Sequence, residues 1–191
     1  DPAVAALTPT QAVLLAIGFP IAGWLVYDGL CRLVGFRDGL LGLLVALGVV
    51  ALCYATTHWF SGRAAFLIAG ATLATIMSAN VFMIIMPNQR IVVADLQAGR
   101  QPDAKYGKIA KQRSTHNNYL TLPVLFLMLS NHYPLAFASE HNWIIASLVF
   151  LMGVTIRHWF NSRHAGNGNP HWTWAVTLLL FVLIAWLSTA P

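Results

Sequence analysis

Two polar clusters in an otherwise apolar sequence contain the side chains best suited to chemistry. The first is the tetrad His116-Asn117-Asn118-Tyr119, which opens a stretch without Asp, Glu, Lys or Arg between Arg113 and Glu140. The second begins at Arg157 and ends at His164. Histidine is the side chain that exchanges protons most readily near pH 7, so each cluster contains a candidate acid or base.

The second cluster has the composition expected of an anion site. On a helix, Arg157, Asn161 and His164 share one face because they are spaced at i, i+4 and i+7. A guanidinium group offers two parallel donors to a planar anion, and an amide offers both a donor and an acceptor. Trp159 or Phe160 could stack on such a ligand. The alternative is an ordinary basic helix end with an interfacial tryptophan.

The composition predicts an integral membrane protein. Of the 191 residues, 58% are hydrophobic and only 9% are charged, whereas about 25% of a soluble domain is charged. The net charge of +5 could indicate nucleic-acid binding. In a membrane protein a basic excess more often marks cytoplasmic loops, so we expect the lipid bilayer and no nucleic acid as a partner. Cys31 and Cys53 form no covalent-haem or zinc motif.

The hydrophobic pattern predicts an all-α fold, a polytopic transmembrane helical bundle of about six spanning helices. Each helix needs about 20 apolar residues to cross the hydrocarbon. Pro87 is expected to end the third helix, and Asn88 to Arg113 are expected to form a long polar connection that is basic on balance. We expect residues 1–191 to form a single transmembrane domain without a soluble domain. The predicted spans are residues 12–34, 39–60, 64–86, 115–130, 140–161 and 171–187.

The distribution of charge predicts the orientation of these helices. All lysines and arginines except Arg63 fall on one side of the predicted membrane. By the positive-inside rule that side is cytoplasmic. We therefore expect a multi-pass membrane protein with both termini on the outer side, which is the periplasmic side if the membrane is a bacterial inner membrane.

Four longer strings show a resemblance to a known family. They are HNNYLTLPVLFLMLSNHYP at 116–134, RHWFNSRH at 157–164, NVFMIIMPNQR at 80–90 and GWLVYDGLCR at 23–32. Together they resemble the membrane domain of the bacterial cytochrome c-linked urate oxidases, or urate hydroxylases. The resemblance covers essentially the whole chain and corresponds to the later part of that membrane domain.

The resemblance implies that urate is oxidised to 5-hydroxyisourate and that the electrons leave to a cytochrome c rather than directly to oxygen. It also implies partner segments: preceding membrane helices of the same polypeptide, and a cytochrome c domain that carries a c-type haem and is absent here. In this reading His116 and His158 are the expected catalytic residues, with His116 the leading candidate for the general base. The residues expected to bind the substrate are Asn117, Asn118, Tyr119, Arg157, Asn161 and Arg163.

Two other functions remain open from the sequence. His58, His132 and His141 fall near the outer ends of the predicted helices, and histidines on facing helices are the usual ligands of a b-type haem. The chain would then be an electron-transfer subunit. A transporter of a purine-like anion would instead line its path with Asn80 and Arg157. A redox enzyme predicts urate consumption with an acceptor, whereas a transporter predicts urate flux without oxidation.

Overall fold

Residues 4–189 are described by a computed structural model, and every regular element among them is a helix. The predicted all-α class is therefore confirmed. The elements are α1 (Pro9–Val34), α2 (Asp38–Trp59), α3 (Gly62–Ala79), a π-helical turn (Asn80–Ile85), α4 (Met86–Gln97), α5 (Ala104–Leu129), a 3-10 turn (Ser130–His132), α6 (Pro134–Phe137), α7 (Asn142–His164) and α8 (Trp172–Thr189).

Helix α5 occupies the middle of the bundle, where it packs between α3 and α7. Five other helical segments are long and apolar enough to cross a membrane: Pro9–Val34, Asp38–Trp59, Gly62–Gln97, Asn142–His164 and Trp172–Thr189. The predicted fourth span, residues 115–130, corresponds to the second half of α5. The first half of α5 is rich in Lys, Gln, Arg and Asn, which makes the helix as a whole less apolar than its neighbours.

The expectation that Pro87 ends the third helix is wrong. Proline lacks an N–H group, and its ring clashes with the preceding turn of an α-helix. Here the wider π turn precedes Pro87, and the Met86 N–H donates to the Val81 carbonyl. Pro87 then occupies the first turn of α4, where no N–H is required. The Asn88 side chain donates to the Ile84 carbonyl at 2.7 Å, so the helical rod continues to Gln97.

The predicted polar connection after Pro87 is consequently a helical hairpin. It consists of α4, a turn containing Gly99 at φ 68°, and the first half of α5. Asp103 caps α5 by accepting a hydrogen bond from the Lys105 N–H at 2.9 Å. This bond stabilises the carboxylate and holds the pKa of Asp103 below its usual value. None of the residues of α4 is buried, so α4 and the turn at Gly99 form an exposed extension of the bundle.

Apolar side chains cover the outside of the bundle. The outer face of α8 exposes Trp172, Leu178, Phe181 and Trp186, and α1 exposes a similar stripe. The buried side chains come mainly from α3, α5 and α7, and include Phe66, Leu127 and Ile145. A bundle that is apolar on the outside and contains polar groups inside is typical of a protein in a membrane.

The contact between α5 and α7 depends on a glycine. A Cβ atom added at Gly153 would lie 2.6 Å from Cδ of Pro123. We predict that Gly153→Ala lowers the free energy of unfolding by about 1–3 kcal/mol, because neither the proline ring nor the helix can yield. The measurement is unfolding in detergent micelles followed by helical circular dichroism.

The matched control is Gly18→Ala, since a Cβ at Gly18 would meet no atom within 4 Å. This variant should have a slightly higher free energy of unfolding than the wild type, because alanine is a better helix former than glycine. Equal behaviour of the two variants would contradict the tight packing of α5 on α7.

Candidate functional site

Helix α5 directs four consecutive polar side chains to two different neighbours. His116 and Asn117 form hydrogen bonds with side chains of α1 and of the π turn. Asn118 and Tyr119 form hydrogen bonds with side chains of α7. Successive residues of an α-helix point about 100° apart, so one tetrad contributes to two clusters. We call the first the inner network: Tyr27, Asp28, Asn80, Arg113, His116 and Asn117. We call the second the α7 site: Asn118, Tyr119, Arg157, His158 and Asn161.

Asn80 is the centre of the inner network. It is fully buried, with 0% of its surface exposed, and Arg113 is 3% exposed. The Arg113 guanidinium donates to Oδ1 of Asn80 at 3.2 Å. The amide nitrogen of Asn80 donates to Oδ1 of Asn117 at 2.8 Å and to the Tyr27 hydroxyl oxygen at 3.1 Å. The π turn begins at Asn80, so the change of helical register coincides with this junction.

Asp28 supplies the counter-charge for Arg113. One carboxylate oxygen accepts from the guanidinium of Arg113 at 2.7 Å, and the other accepts from Arg32 at 2.6 Å. The Arg113 guanidinium also lies 5.1 Å from the centre of the Tyr27 ring. A charge removed from water is tolerated only when it is paired and hydrogen-bonded. Arg113 meets both conditions.

Tyr27, Asp28 and Arg113 were not among the residues predicted to form a site. A usable signal was present, because Arg113 precedes Asn117 by four positions and therefore shares its helical face. Asp28 is likewise a lone acid in an apolar helix. Their pairing across separate helices becomes evident only in the folded chain.

The α7 site brings together five of the residues that the sequence analysis predicted. Nε of Arg157 donates to Oδ1 of Asn118 at 2.8 Å. The Tyr119 hydroxyl lies 2.8 Å from Nδ1 of His158, and the two rings are stacked with their centres 6.2 Å apart. Asn161 follows Arg157 by one helical turn and so shares its face of α7.

Within residues 4–189, several hydrogen-bond donors at this part of α7 have no acceptor. In the part of the chain that the structure describes, Arg157 forms a side-chain hydrogen bond only through Nε. Nδ2 of Asn161 and Nε1 of Trp159 are buried without a partner. A buried donor without an acceptor is costly, so an acceptor-rich ligand that reached Asn161 from the partly buried Arg157 would remove part of that cost. Trp159 itself packs toward α8, with its ring 5.7 Å from that of Trp174.

Several other predicted residues lie apart from the α7 site. His116 and Asn117 belong to the inner network. Arg163 is exposed, and its guanidinium lies 5.2 Å from the centre of the Trp159 ring. His164 is also exposed. The predicted face of α7 therefore contributes Arg157 and Asn161 to the partly buried α7 site, but not His164.

The three histidines predicted as haem ligands are all exposed on the surface. Nδ1 of His58 lies 3.2 Å from the Tyr54 carbonyl of its own helix. Among residues 4–189, no group of three or more His, Cys, Asp or Glu side chains is placed to hold a metal ion. The b-type haem stays a prediction.

A cavity of about 270 Å³ lies between α1, α2 and α3. Its lining is apolar apart from Tyr27 and Thr72. An anion placed there would lose its hydration without gaining enough partners. The cavity is therefore unsuited to the ligand that the α7 site would accept.

These features define an all-α bundle with apolar helices of membrane length. One polar cluster lies on each side of its central helix, α5. The chain matches the family model described as "Urate oxidase N-terminal" over residues 1–188, and it belongs to that family. The predicted relationship to the urate oxidases, and with it an oxidoreductase at that coarse level, is thereby confirmed. No curated protein and no solved structure is significantly similar to it.

The inner network generates a stability prediction. Asp28→Asn should lower the free energy of unfolding by about 3–5 kcal/mol, because it leaves the buried Arg113 guanidinium without a counter-charge. The matched control is Asp95→Asn, since Asp95 pairs with Arg100, whose side chain is 65% exposed. That variant should change stability by less than about 1 kcal/mol. Unfolding in mixed micelles measures both, and similar losses would contradict a structural role for the network.

Proposed function

We propose that this chain binds and oxidises urate within a bacterial membrane oxidoreductase. The product is 5-hydroxyisourate, and the electron acceptor is a cytochrome c. Membership of the urate oxidase N-terminal family supports urate as the substrate. The observation that carries the choice of site is the open guanidinium of Arg157, which Asn118 holds beside the unpartnered amide of Asn161.

Urate suits this arrangement because it is a planar anion at neutral pH, with carbonyl oxygens around its edge. The terminal nitrogens of Arg157 would donate to two adjacent acceptors of the anion. The amide of Asn161 would donate to a further carbonyl. Binding would thus give the buried Nδ2 of Asn161 the acceptor that it lacks in the free protein.

The reaction balances as urate plus water giving 5-hydroxyisourate, two protons and two electrons. The protons require a base, and His116 and His158 are the candidates. The electrons pass to two molecules of a one-electron acceptor, here ferricytochrome c, whose c-type haem belongs to a partner domain. Preceding membrane helices of a longer polypeptide are the other partners that the family resemblance supports.

The proposed location is the bacterial inner membrane. Five apolar segments of spanning length support insertion, and the basic hairpin of α4 and α5 supports a cytoplasmic position for that end of the bundle. The α7 site would then lie toward the cytoplasmic side, and both chain ends would lie toward the periplasm.

The test of the proposed reaction is an anaerobic assay of membranes that contain the protein, with urate and oxidised cytochrome c. We expect two cytochromes to be reduced for each urate consumed. Membranes from cells without the protein are the control. Loss of urate from the medium without oxidation would indicate transport, and absence of both oxidation and transport would reject urate as the substrate.

Arg157→Lys tests the site. Lysine keeps the charge but loses the planar fork, and a hydrogen bond to a charged group is worth about 1.5–3 kcal/mol. We therefore predict that the Kd for urate rises by tenfold or more. The control is Arg100→Lys, which changes an exposed arginine of the hairpin. Equal affinities for urate in the two variants would exclude Arg157 as the anion-binding residue.

A further inference from the structure

The bundle contains two tyrosine–histidine pairs with nearly equal hydrogen-bond distances. The Tyr27 hydroxyl lies 2.7 Å from Nδ1 of His116, and the Tyr119 hydroxyl lies 2.8 Å from Nδ1 of His158. The two pairs differ in what else contacts the tyrosine oxygen. That difference decides which ring nitrogen of each histidine bears the proton.

We propose that Asp28, Arg113, Asn80 and Tyr27 form a positioning chain that holds neutral His116 in the tautomer protonated on Nε2. His116 is then a hydrogen-bond donor, and His158 is the histidine that accepts the proton during turnover. The tautomer of His116 is independent of any substrate. The assignment of the base to His158 rests on the proposed oxidation of urate.

In the positioning chain, the guanidinium of Arg113 is a group that can only donate hydrogen bonds. A guanidinium has five N–H groups and no acceptor, so the atom of Asn80 that faces Arg113 at 3.2 Å is its carbonyl oxygen. This contact assigns the amide orientation by chemistry, although oxygen and nitrogen are hard to distinguish by shape. Asp28 holds the guanidinium in place through a charge-assisted bond of 2.7 Å.

A second contact fixes the same orientation independently. Nδ2 of Asn117 donates to the Met77 backbone carbonyl at 2.8 Å, and a carbonyl can only accept. The side-chain oxygen of Asn117 must therefore face Asn80, whose amide nitrogen donates to it at 2.8 Å. Both ends of the network thus direct the NH₂ group of Asn80 away from Arg113.

The remaining N–H of Asn80 determines the role of Tyr27. It donates to the Tyr27 oxygen at 3.1 Å, which leaves the hydroxyl proton of Tyr27 free to point at Nδ1 of His116. In the opposite tautomer Nδ1 would donate to Tyr27, and the buried phenol would lose its strong acceptor. The Cys31 thiol, one turn along α1, is only a weak acceptor. An unsatisfied buried hydroxyl disfavours that tautomer by about tenfold or more.

The Tyr119–His158 pair has no such constraint. In the described part of the chain, the Tyr119 hydroxyl is hydrogen-bonded only to His158. Either the Tyr119 hydroxyl donates to Nδ1, or a protonated Nδ1 donates to the Tyr119 oxygen. In the second case Nε2 of His158 is free to accept a proton. His158 also follows Arg157 directly on α7, where the proposed anion site lies. A base at this position needs no rearrangement of the inner network.

The direct test is nitrogen NMR of the full chain in bicelles, with ¹⁵N-labelled histidine and no urate. We expect the His116 signals of a neutral ring protonated at Nε2. Tyr27→Phe should give a mixture of tautomers, while the control Tyr119→Phe should leave the His116 signals unchanged. A wild-type ring protonated at Nδ1 would overturn the positioning chain, and this measurement requires no variant to fold.

Asn80→Asp provides a reversal test. The new carboxylate would accept a hydrogen bond from the Tyr27 hydroxyl. The tyrosine oxygen would then accept a hydrogen bond from Nδ1 of His116. The tautomer should switch to the form protonated at Nδ1. A ring that stays protonated at Nε2, in a variant with unchanged circular dichroism, would contradict the role of Asn80.

The assignment of the base is tested separately by turnover. Glutamine can supply the donor of an Nε2–H group but cannot act as a base near neutral pH. We expect His158→Gln to lower kcat by about a hundredfold and His116→Gln to lower it by less than tenfold. The reverse order would overturn the assignment of His158 while leaving the tautomer result standing. If wild-type protein does not oxidise urate, the proposed function fails and the NMR result remains interpretable.

Discussion

The buried guanidinium of Arg113 is the constraint on which the interior of this bundle depends. A charged group in an apolar bundle requires a counter-charge and further hydrogen bonds. Asp28 on α1 supplies the first, and Asn80 on the π turn supplies the second. Three helices are thereby held at one level. Apolar packing alone would not impose this alignment, because dispersion forces have little directional preference.

The π turn connects this constraint to the exposed hairpin. Pro87 would ordinarily break an α-helix, yet the widened turn before it allows the rod to continue from α3 into α4. The same turn begins at Asn80, the residue that meets Arg113. The π turn that accommodates Pro87 therefore begins at Asn80, the polar centre of the bundle. π turns frequently occur at functional sites for this reason, since they alter where one side chain points relative to its neighbours.

The central helix separates two chemical tasks. On one side of α5 the polar groups largely satisfy one another, and both N–H groups of the Asn80 amide have acceptors. On the other side, Arg157 and Asn161 retain open donors. A saturated network is suited to fixing geometry, whereas an unsaturated one is suited to binding. Two adjacent residues, Asn117 and Asn118, thus belong to environments with opposite roles.

The sequence by itself determined the helical class and the apolar character, and it supplied the candidate residues of the α7 site. Those properties are read from composition and from short spacings, such as Arg157 with Asn161 along one helical face. The tertiary structure decided how the tetrad at His116 is divided, because the neighbours of α5 lie far away in the chain. It also decided that Pro87 continues a helix, since that outcome depends on a π turn and on the bond from Asn88. The partners of Arg113 come from helices that precede it by more than thirty positions, and only folding brings them within hydrogen-bonding distance.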